Sequence, residues 1–307
     1  MKHIIMGGAG FIGTRLTNHL LRANSEILIL DKKIVKEGNK KIGVKYEIVD
    51  ICKEKEVMTA ISKHFDINEE IILWNLAANS DIRTGTKNQF IDYFDTLGTT
   101  CTSISITKEF NVKMFVFSSS SAIYGDLGIS AVGENYDAFS PISNYGAMKL
   151  ASEHLIKINN SYTRVPTRIF RFPNVIGWPG THGVIYDLRN KLIISENYLE
   201  VLGDGQQTKP YIHVDDLIKI MLQLINTPSN FDIVNIAPRD SGISVSEIAN
   251  ALVKKFKPHL SIKYENTREG WFGDVPNYKF DTNKLLSLIP GLELNSFNAL
   301  TKTLEEM

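Results

Sequence analysis

The chain has 307 residues, 43% of them hydrophobic, so it is long enough to bury a full core in about two domains. Lysine and arginine together number 34, as do aspartate and glutamate, and the formal net charge is zero. This balance does not favour a nucleic-acid or anionic-lipid partner. Cys52 and Cys101 form no disulfide framework, and the histidines, His213 included, show no metal-ligand spacing, so no metal site is expected.

The N-terminal residues lack the charged, apolar and small-residue sections of a signal peptide. The longest apolar stretch, near IILWNLAA, is far shorter than the roughly 20 residues that span a bilayer. We therefore expect a cytoplasmic protein with no membrane partner.

Strand-length and helix-length patterns alternate through the first half of the chain. KHIIM predicts a strand, FIGTRLTNHLLRA a helix and EILIL a second strand. Further strands are predicted at YEIV, EIILWNL, KMFVFS and TRIFRF, and further helices at KEKEVMTAISKHF and over about 90–110 and 144–158. Because these strands are almost continuously apolar, both faces of the sheet should be covered by helices. The alternation predicts a doubly wound parallel sheet, the Rossmann α/β fold.

After about residue 172 the alternation weakens, and PNVIGWPGTHG and GDGQQTKPY read as loops. Ser244 and Glu247 predict a capping box before the amphipathic segment SVSEIANALVKKF. We assign residues 1–172 and about 210–236 to the Rossmann domain. A smaller C-terminal substrate-binding lobe takes about 173–209 and 237–307.

Gly7, Gly10 and Gly13 lie between the first predicted strand and helix. Three glycines at this spacing suit a dinucleotide loop, in which the first allows the tight turn and the second lets the backbone approach a pyrophosphate. The third lets the helix pack closely against the sheet. Asp31 ends the next strand, where a carboxylate can accept hydrogen bonds from the adenosine ribose and repel a 2′-phosphate. The pattern favours NAD over NADP, although Lys32 and Lys33 follow directly.

Tyr145 and Lys149 are four residues apart in a predicted helix and so share one face. An ammonium beside a phenol favours the phenolate, and we expect it to lower the Tyr145 pKa toward neutral pH. Such a phenolate can take a proton from an alcohol during oxidation of the same carbon. The serines at 118–121 end a strand at the carboxyl edge of the sheet, where ligands of such folds bind.

The motifs GGAGFIG, NLAANSDIR, FSSSSAIYG, YGAMK, RFPNVIG and LGDGQQTKPYIHVDDL occur in the order found in the extended short-chain dehydrogenase/reductases. Within them the chain most resembles the nucleotide-sugar 4-epimerases of the UDP-glucose 4-epimerase kind, over nearly its full length. The resemblance implies bound NAD, a nucleotide-sugar substrate and a homodimer built on two helices per subunit.

The resemblance also implies roles for individual residues. Tyr145 is the acid/base, Lys149 its modulator and ribose ligand, and Ser120 the third catalytic residue. The cofactor contacts are Gly7, Gly10, Phe11, Ile12, Gly13, Asp31, Asp50, Ile51, Ala77, Ala78, Tyr145 and Lys149. The substrate contacts are Ser80, Ser120, Asn174, Val184, Lys209, Arg268 and Asp274.

The chain departs from the family pattern in places. Lys209 stands where the family often has arginine, which gives up a bidentate contact to phosphate. NLAA replaces HLAA, Pro173 replaces a frequent aromatic residue, and REGWFGD is longer than RPGD. Ser121 and Ala122 stand where related 4,6-dehydratases carry an Asp-Glu pair, which argues against dehydration.

The main functional hypothesis is C4 epimerisation of a nucleotide-linked sugar, most simply a UDP-hexose, through a transient 4-keto sugar. The alternative is a 4-dehydrogenase that releases the 4-keto product of a UDP- or GDP-linked hexose or heptose in a surface-glycan pathway. A non-catalytic NAD-sensing protein is a remote third alternative, because Ser120, Tyr145 and Lys149 occur together.

Overall fold

The computed structural model describes residues 1–128, 130–265, 275 and 278–307. Its strands are, in chain order, β1 (Lys2–Met6), β2 (Glu26–Asp31), β3 (Val44–Ile48), β4 (Ile71–Asn75), β5 (Val112–Ser120), β6 (Ala131–Val132), β7 (Thr167–Phe172), β8 (Asn174–Ile176), β9 (Tyr198–Val201), β10 (Thr208–Lys209), β11 (Tyr211–His213), β12 (Phe231–Asn235), β13 (Ile243–Ser244), β14 (Ser261–Tyr264) and β15 (Lys279–Phe280).

The α-helices are α1 (Phe11–Arg22), α2 (Glu54–Ser62), α3 (Ile82–Lys87), α4 (Gln89–Asp92), α5 (Thr99–Glu109), α6 (Asn144–Thr163), α7 (Val184–Ile194), α8 (Val214–Leu224), α9 (Val245–Phe256), α10 (Asn283–Leu288) and α11 (Ser296–Glu305). A π-helical turn, Tyr93–Gly98, joins α4 to α5, and short 3₁₀ turns cover Glu37–Asn39 and Ser121–Ile123.

The main sheet has seven strands in the order β12-β7-β5-β4-β1-β2-β3. The pairs β1–β2, β1–β4, β2–β3 and β4–β5 are parallel, and Ile4 lies opposite Leu28 on one side and Leu73 on the other. The chain moves outward from β1 through β2 to β3, then returns to β4 on the opposite side of β1. This reversal is the switch point at which doubly wound sheets bind ligands, outside the carboxyl ends of the strands.

Apolar strands in the middle of the sheet are buried on both faces, whereas the edge strand β3 is only partly buried. Ile4, Ile5 and Met6 of β1 have no exposed surface, and neither have Leu73 and Trp74 of β4. At about 25 cal/mol per Å² of apolar area, such burial is the main force that holds helices on a sheet. The prediction of a helix-covered Rossmann sheet is confirmed.

The predicted helix over about 90–110 is helical but is not a single α-helix. Its middle, Tyr93–Gly98, is a wider π-helical turn. Asn79 binds both sides of this turn: its amide nitrogen donates to Asp92 Oδ1 (3.0 Å) and its backbone N–H to Thr96 Oγ1 (3.2 Å). These tertiary bonds hold the wider turn, and side-chain periodicity does not reveal them.

Two compact units are present. The first comprises Met1–Ile123, Ser143–Arg171 and Ile218–Val234, and the second comprises Tyr124–Ile142, Phe172–Leu217 and Asn235–Met307. The sequence places 124–142 and about 210–217 in the Rossmann domain, whereas both segments belong to the second unit.

The second unit has its own apolar core. Leu188 and Leu192 of α7 cluster there with Leu252 of α9 and Leu300 of α11. The predicted capping box is confirmed, since Ser244 Oγ accepts the Glu247 N–H (3.2 Å) and Glu247 Oε2 accepts the Ser244 N–H (2.7 Å).

Candidate active site

The glycine loop joins β1 to α1 at the carboxyl edge of the sheet. Gly7 has φ +78°, and a Cβ there would lie 2.8 Å from the Cα of Ala77. A Cβ on Gly13 would lie 2.6 Å from the carbonyl oxygen of Gly7. The loop therefore has the tight turn and close packing predicted for the first and third glycines.

The start of α1 suits a bound phosphate. Gly10 is the N-cap, no side chain caps the helix, and the first turn holds no acidic residue. Phe11 and Ile12 open the helix, where backbone N–H groups and the helix dipole favour an anion. The loop can therefore cradle the diphosphate of NAD.

Asp31 ends β2 beside this loop and is 7% exposed. Its Oδ2 accepts the Ala9 N–H and its Oδ1 accepts the Lys33 N–H, each at 2.9 Å. Each carboxylate oxygen can accept a second hydrogen bond, so a ribose hydroxyl can still be bound. Lys32 forms an ion pair with Asp95 (2.6 Å).

The loops after β3 and β4 hold the other predicted cofactor contacts. Ile51 is buried, whereas Asp50 is exposed and its Oδ1 accepts the Cys52 N–H (3.1 Å). Ala77 faces Gly7, and its N–H donates to Asn75 Oδ1 (3.1 Å). Ala78 is partly buried and Ser80 is exposed in the same loop.

The three predicted catalytic side chains lie together in the first unit. Ser120 is the last residue of β5, and Tyr145 and Lys149 lie in the first two turns of α6, whose N-cap Ser143 accepts the Gly146 N–H (3.1 Å). The Ser120 hydroxyl lies close enough to the half-buried Tyr145 to lower the pKa of its phenol. Lys149 Nζ lies 5.8 Å from the centroid of the Tyr145 ring.

Lys149 is almost completely buried, with 1% of its surface exposed. Its ammonium donates to the carbonyl oxygen of Ser118 (2.6 Å) and lies 4.5 Å from the centroid of the Phe117 ring. Burial lowers the Lys149 pKa to about 7, and the charge of Glu153 opposes this shift.

Tyr145 departs from the sequence prediction. Burial raises its pKa to about 12; the Ser120 hydroxyl lowers the pKa and the charge of Asp92 raises it. The expectation that Lys149 sets a low Tyr145 pKa is wrong for these side chains by themselves. Desolvation of the phenolate is the largest cause of the shift, and helical spacing does not report burial.

Three further polar residues around the catalytic group were not predicted. Asp92 is fully buried, and burial raises its pKa. Glu153 and Arg171 form a buried ion pair, with Arg171 Nη2 donating to Glu153 Oε2 at 2.6 Å. Glu153 could have been found from its spacing of four residues after Lys149, but its pairing with Arg171 depends on the fold.

The remaining predicted substrate contacts belong to the second unit. Asn174 opens β8 and lies opposite Tyr211 of β11, two residues after Lys209. Val184 opens α7. Arg268 and Asp274 lie outside the described residues.

One histidine of the second unit has acidic neighbours. His213 Nδ1 accepts the Asp215 N–H (3.3 Å), and its Nε2 lies 3.3 Å from Glu306 Oε2. The three side chains bring possible metal ligands within 4.8 Å of one another. Burial and then the Lys302 charge lower the His213 pKa, and the same Lys302 charge opposes a bound cation.

In the part of the chain that the structure describes, no helix is both long and apolar enough to cross a bilayer.

The model of the NAD dependent epimerase/dehydratase family matches residues 3–237. The chain belongs to this family. It is therefore an NAD-dependent enzyme of the sugar-nucleotide epimerase and dehydratase kind, with a Rossmann-like fold.

Individual relatives are similar over nearly their whole length. A putative UDP-glucose 4-epimerase of Methanocaldococcus jannaschii is 28% identical over 93% of this chain and 91% of the relative. A solved UDP-galactose 4-epimerase has 25% identity and a TM-score of 0.85, covering 100% of this chain and 98% of its own. The UDP-glucuronic acid 4-epimerase of Bacillus cereus, solved with UDP-glucuronic acid and NAD, shares the fold at 22% identity and a TM-score of 0.82, with coverage of 100% and 98%.

Proposed function

We propose that this family member is a nucleotide-sugar 4-epimerase that acts on a UDP-hexose. The observation that carries the proposal is the grouping of Ser120, Tyr145 and Lys149 at the carboxyl edge of the sheet that bears the glycine loop. The UDP-sugar is proposed because the relatives' names refer to UDP-glucose and UDP-galactose.

The residues of the glycine loop and Asp31 would hold NAD, which when bound supplies the oxidising power for C4. In this proposal Tyr145 takes the proton of the 4-hydroxyl group, and Ser120, which lies close to Tyr145, orients that hydroxyl. Inversion then requires the 4-keto sugar to rotate in the site, so that its opposite face accepts hydride at C4 while Tyr145 returns the proton to the C4 oxygen. The cofactor is regenerated in each cycle, so we expect it to stay bound.

Lys149 supplies the charge that this chemistry requires. Burial raises the Tyr145 pKa to about 12, so the phenolate needs a nearby positive charge at neutral pH. The Lys149 ammonium is held on the same helix face by its bond to the Ser118 carbonyl (2.6 Å). We propose Lys149 also as a ligand of the cofactor ribose.

In the second unit we propose Asn174, Val184 and Lys209 as contacts for the nucleotide and its diphosphate. Lys209 provides a single ammonium, so it cannot bind phosphate through the bidentate contact that arginine makes. Ser80 in the first unit, with Arg268 and Asp274, completes the proposed set.

The deciding experiment incubates the purified protein with UDP-glucose, UDP-galactose, UDP-glucuronate and GDP-, CDP- and ADP-sugars, and follows H4 of the sugar by NMR. Inversion at C4 supports the epimerase. A ketone with stoichiometric reduced cofactor would instead identify a 4-dehydrogenase. No change in any sugar, with NAD bound, would identify a sensing protein.

The matched variants are Tyr145→Phe and Tyr198→Phe. Tyr198 lies on β9, is 42% exposed and belongs to none of the proposed catalytic, binding or dimer residues, so loss of its hydroxyl should leave turnover unchanged. Removal of the acid/base at Tyr145 should reduce turnover by about 10²–10⁴-fold. Full activity of Tyr145→Phe on a converted sugar would refute the catalytic assignment.

We also propose that the chain forms a homodimer through α5 and α6. Leu155, Ile158 and Tyr162 are exposed on one face of α6, at spacings of three and four residues. Phe90 and Phe94 are exposed on the helical segment that leads into α5. A row of exposed apolar side chains along helices is typical of a subunit interface.

We propose that the enzyme works in the cytoplasm. Cys52 and Cys101 are both free thiols, as is usual in a reducing compartment.

A further inference from the structure

Glu153 lies one turn after Lys149 and two turns after Tyr145 on α6. Spacings of four and eight residues place all three side chains along one face of the helix. Glu153 is 4% exposed, and a carboxylate is seldom buried without partners. The groups that contact the Glu153 carboxylate therefore indicate its role.

Both carboxylate oxygens of Glu153 accept hydrogen bonds from Arg171 of β7. Arg171 Nε lies 3.0 Å from Oε1 and 3.2 Å from Oε2, and Nη2 lies 2.6 Å from Oε2. The hydroxyl of Ser119 on β5 donates to the same Oε1 (2.5 Å). Glu153 thus joins α6 to two strands of the sheet.

Ser119 lies between Ser118 and Ser120, the two β5 residues next to Lys149 and Tyr145. The carbonyl oxygen of Ser118 accepts from the Lys149 ammonium, and the Ser120 hydroxyl lies close enough to Tyr145 to lower its pKa. The bond from Ser119 to Glu153 therefore fixes the middle of this three-residue segment against the helix.

Glu153 also acts on the charge of Lys149. The Lys149 ammonium contacts a carbonyl dipole and the ring of Phe117, and Glu153 is the charged group that favours its protonated form. The β5 residues that face it, Phe117–Ser120, carry no charge. Among the described residues, the titratable and charged groups near Lys149 and Tyr145 are Glu153 on α6, Asp92 on α4 and Arg171 on β7.

We propose that Glu153 is a positioning residue of the catalytic site: it fixes the end of β5 against α6 and supplies the negative charge that keeps the buried Lys149 ammonium protonated. Arg171 completes the arrangement by holding that carboxylate in place. The inference rests on the proposed function, because it assigns the Lys149 charge a use in catalysis.

The test is a pH titration of Lys149 followed by NMR of ¹³Cε-labelled lysine, with the resonance assigned by its absence from Lys149→Met. Glu153→Gln keeps the shape and the hydrogen bond from Ser119 but removes the charge. We expect the Lys149 midpoint to fall by at least about one pH unit. With a midpoint that falls from about 7 to about 6, the protonated fraction of Lys149 at pH 7 falls about fivefold, so we expect kcat to fall about fivefold or more near pH 7, with a smaller change in KM.

Arg168→Gln is the matched control for loss of a buried charge. Arg168 lies three residues before Arg171 on β7, is 1% exposed, and donates to the main-chain carbonyl groups of Thr167, Leu224, Thr227 and Ser229. Its loss should destabilise the protein but leave the Lys149 midpoint unchanged.

The double variant Glu153→Gln, Arg171→Gln covers the case in which the single variant does not fold, because it leaves no unpaired buried charge. Its Lys149 midpoint should still fall, since the Glu153 carboxylate is the group that supports the ammonium. A wild-type midpoint and a wild-type pH profile of kcat in either folded variant would overturn the proposal.

The two proposals fail in different ways. If Tyr145→Phe retained turnover while Glu153→Gln still shifted the Lys149 midpoint, the catalytic assignment would fall and the charge effect would stand. If Tyr145→Phe were inactive and Glu153→Gln left the Lys149 midpoint unchanged, only the positioning role of Glu153 would be refuted.

Discussion

The two demands on the glycine loop, a left-handed backbone and a close contact, can be separated by four alanine substitutions. Gly7 combines φ +78° with a Cβ position 2.8 Å from the Ala77 backbone. Gly13 has only the contact, at 2.6 Å from the carbonyl oxygen of Gly7. Gly43 has only the backbone angle, φ +83°, and Gly38 has neither; a Cβ at either position would meet no described atom within 4 Å.

Each demand has an expected cost in free energy of unfolding. A left-handed L-residue costs about 1–2 kcal/mol. A Cβ forced into a backbone contact costs about 1–3 kcal/mol. Gly7→Ala should therefore lose about 2–5 kcal/mol and Gly43→Ala about 1–2 kcal/mol. Gly13→Ala recovers about 1 kcal/mol of helix propensity, so its net loss should be smaller than that of Gly7→Ala.

The assay measures the urea midpoint of each variant by circular dichroism and its NAD affinity by calorimetry. Gly7→Ala and Gly13→Ala should weaken NAD binding, because the loop must move to relieve the contact. Gly38→Ala and Gly43→Ala should bind NAD as the parent protein does. If Gly7→Ala unfolded no earlier than Gly43→Ala and kept the parent affinity, the packing argument for this loop would be refuted.

Two further predictions concern α6. Lys149 has a pKa of about 7 in the folded protein, whereas an unperturbed lysine has a pKa of 10.5. Below pH 7 its buried charge therefore destabilises the fold, and from pH 7 to about 10.5 only the unfolded chain keeps the extra proton. Lys149→Met should therefore raise the thermal midpoint most below pH 7 and progressively less toward pH 10; an advantage that grew with pH would contradict the linkage. Ile158→Glu should convert the proposed dimer to a monomer in sedimentation analysis, whereas Ile42→Glu, at a position 99% exposed in the loop before β3, should not.

Local patterns were sufficient to predict much of the first unit. The spacing of Gly7 and Gly13 is a property of one turn, and the spacing of Tyr145 and Lys149 is a property of one helix. Each strand of the main sheet up to β7, apart from the partly exposed edge strand β3, is a largely apolar run that can be recognised without knowledge of its neighbours.

Properties that depend on distant segments could not be predicted. The Glu153–Arg171 pair requires α6 to lie on β7, and the π-helical turn is held by Asn79, thirteen residues before Asp92. The direction of the Tyr145 pKa shift depends on burial, which no spacing of residues reveals. Asn174 and Lys209 lie on different strands, so their positions in the sequence do not show whether they share a ligand.

The first unit is assembled from three separate stretches of chain, and the last of them supplies β12, the strand at one end of the seven-stranded sheet beside β7. A ribosome must therefore synthesise the chain as far as residue 235 before this sheet can close. A recombinant fragment that stops after Phe172 would leave the apolar strand TRIFRF without its neighbour, and an uncovered strand edge recruits other chains. A fragment meant to contain the nucleotide-binding half should therefore retain the third stretch, Ile218–Val234.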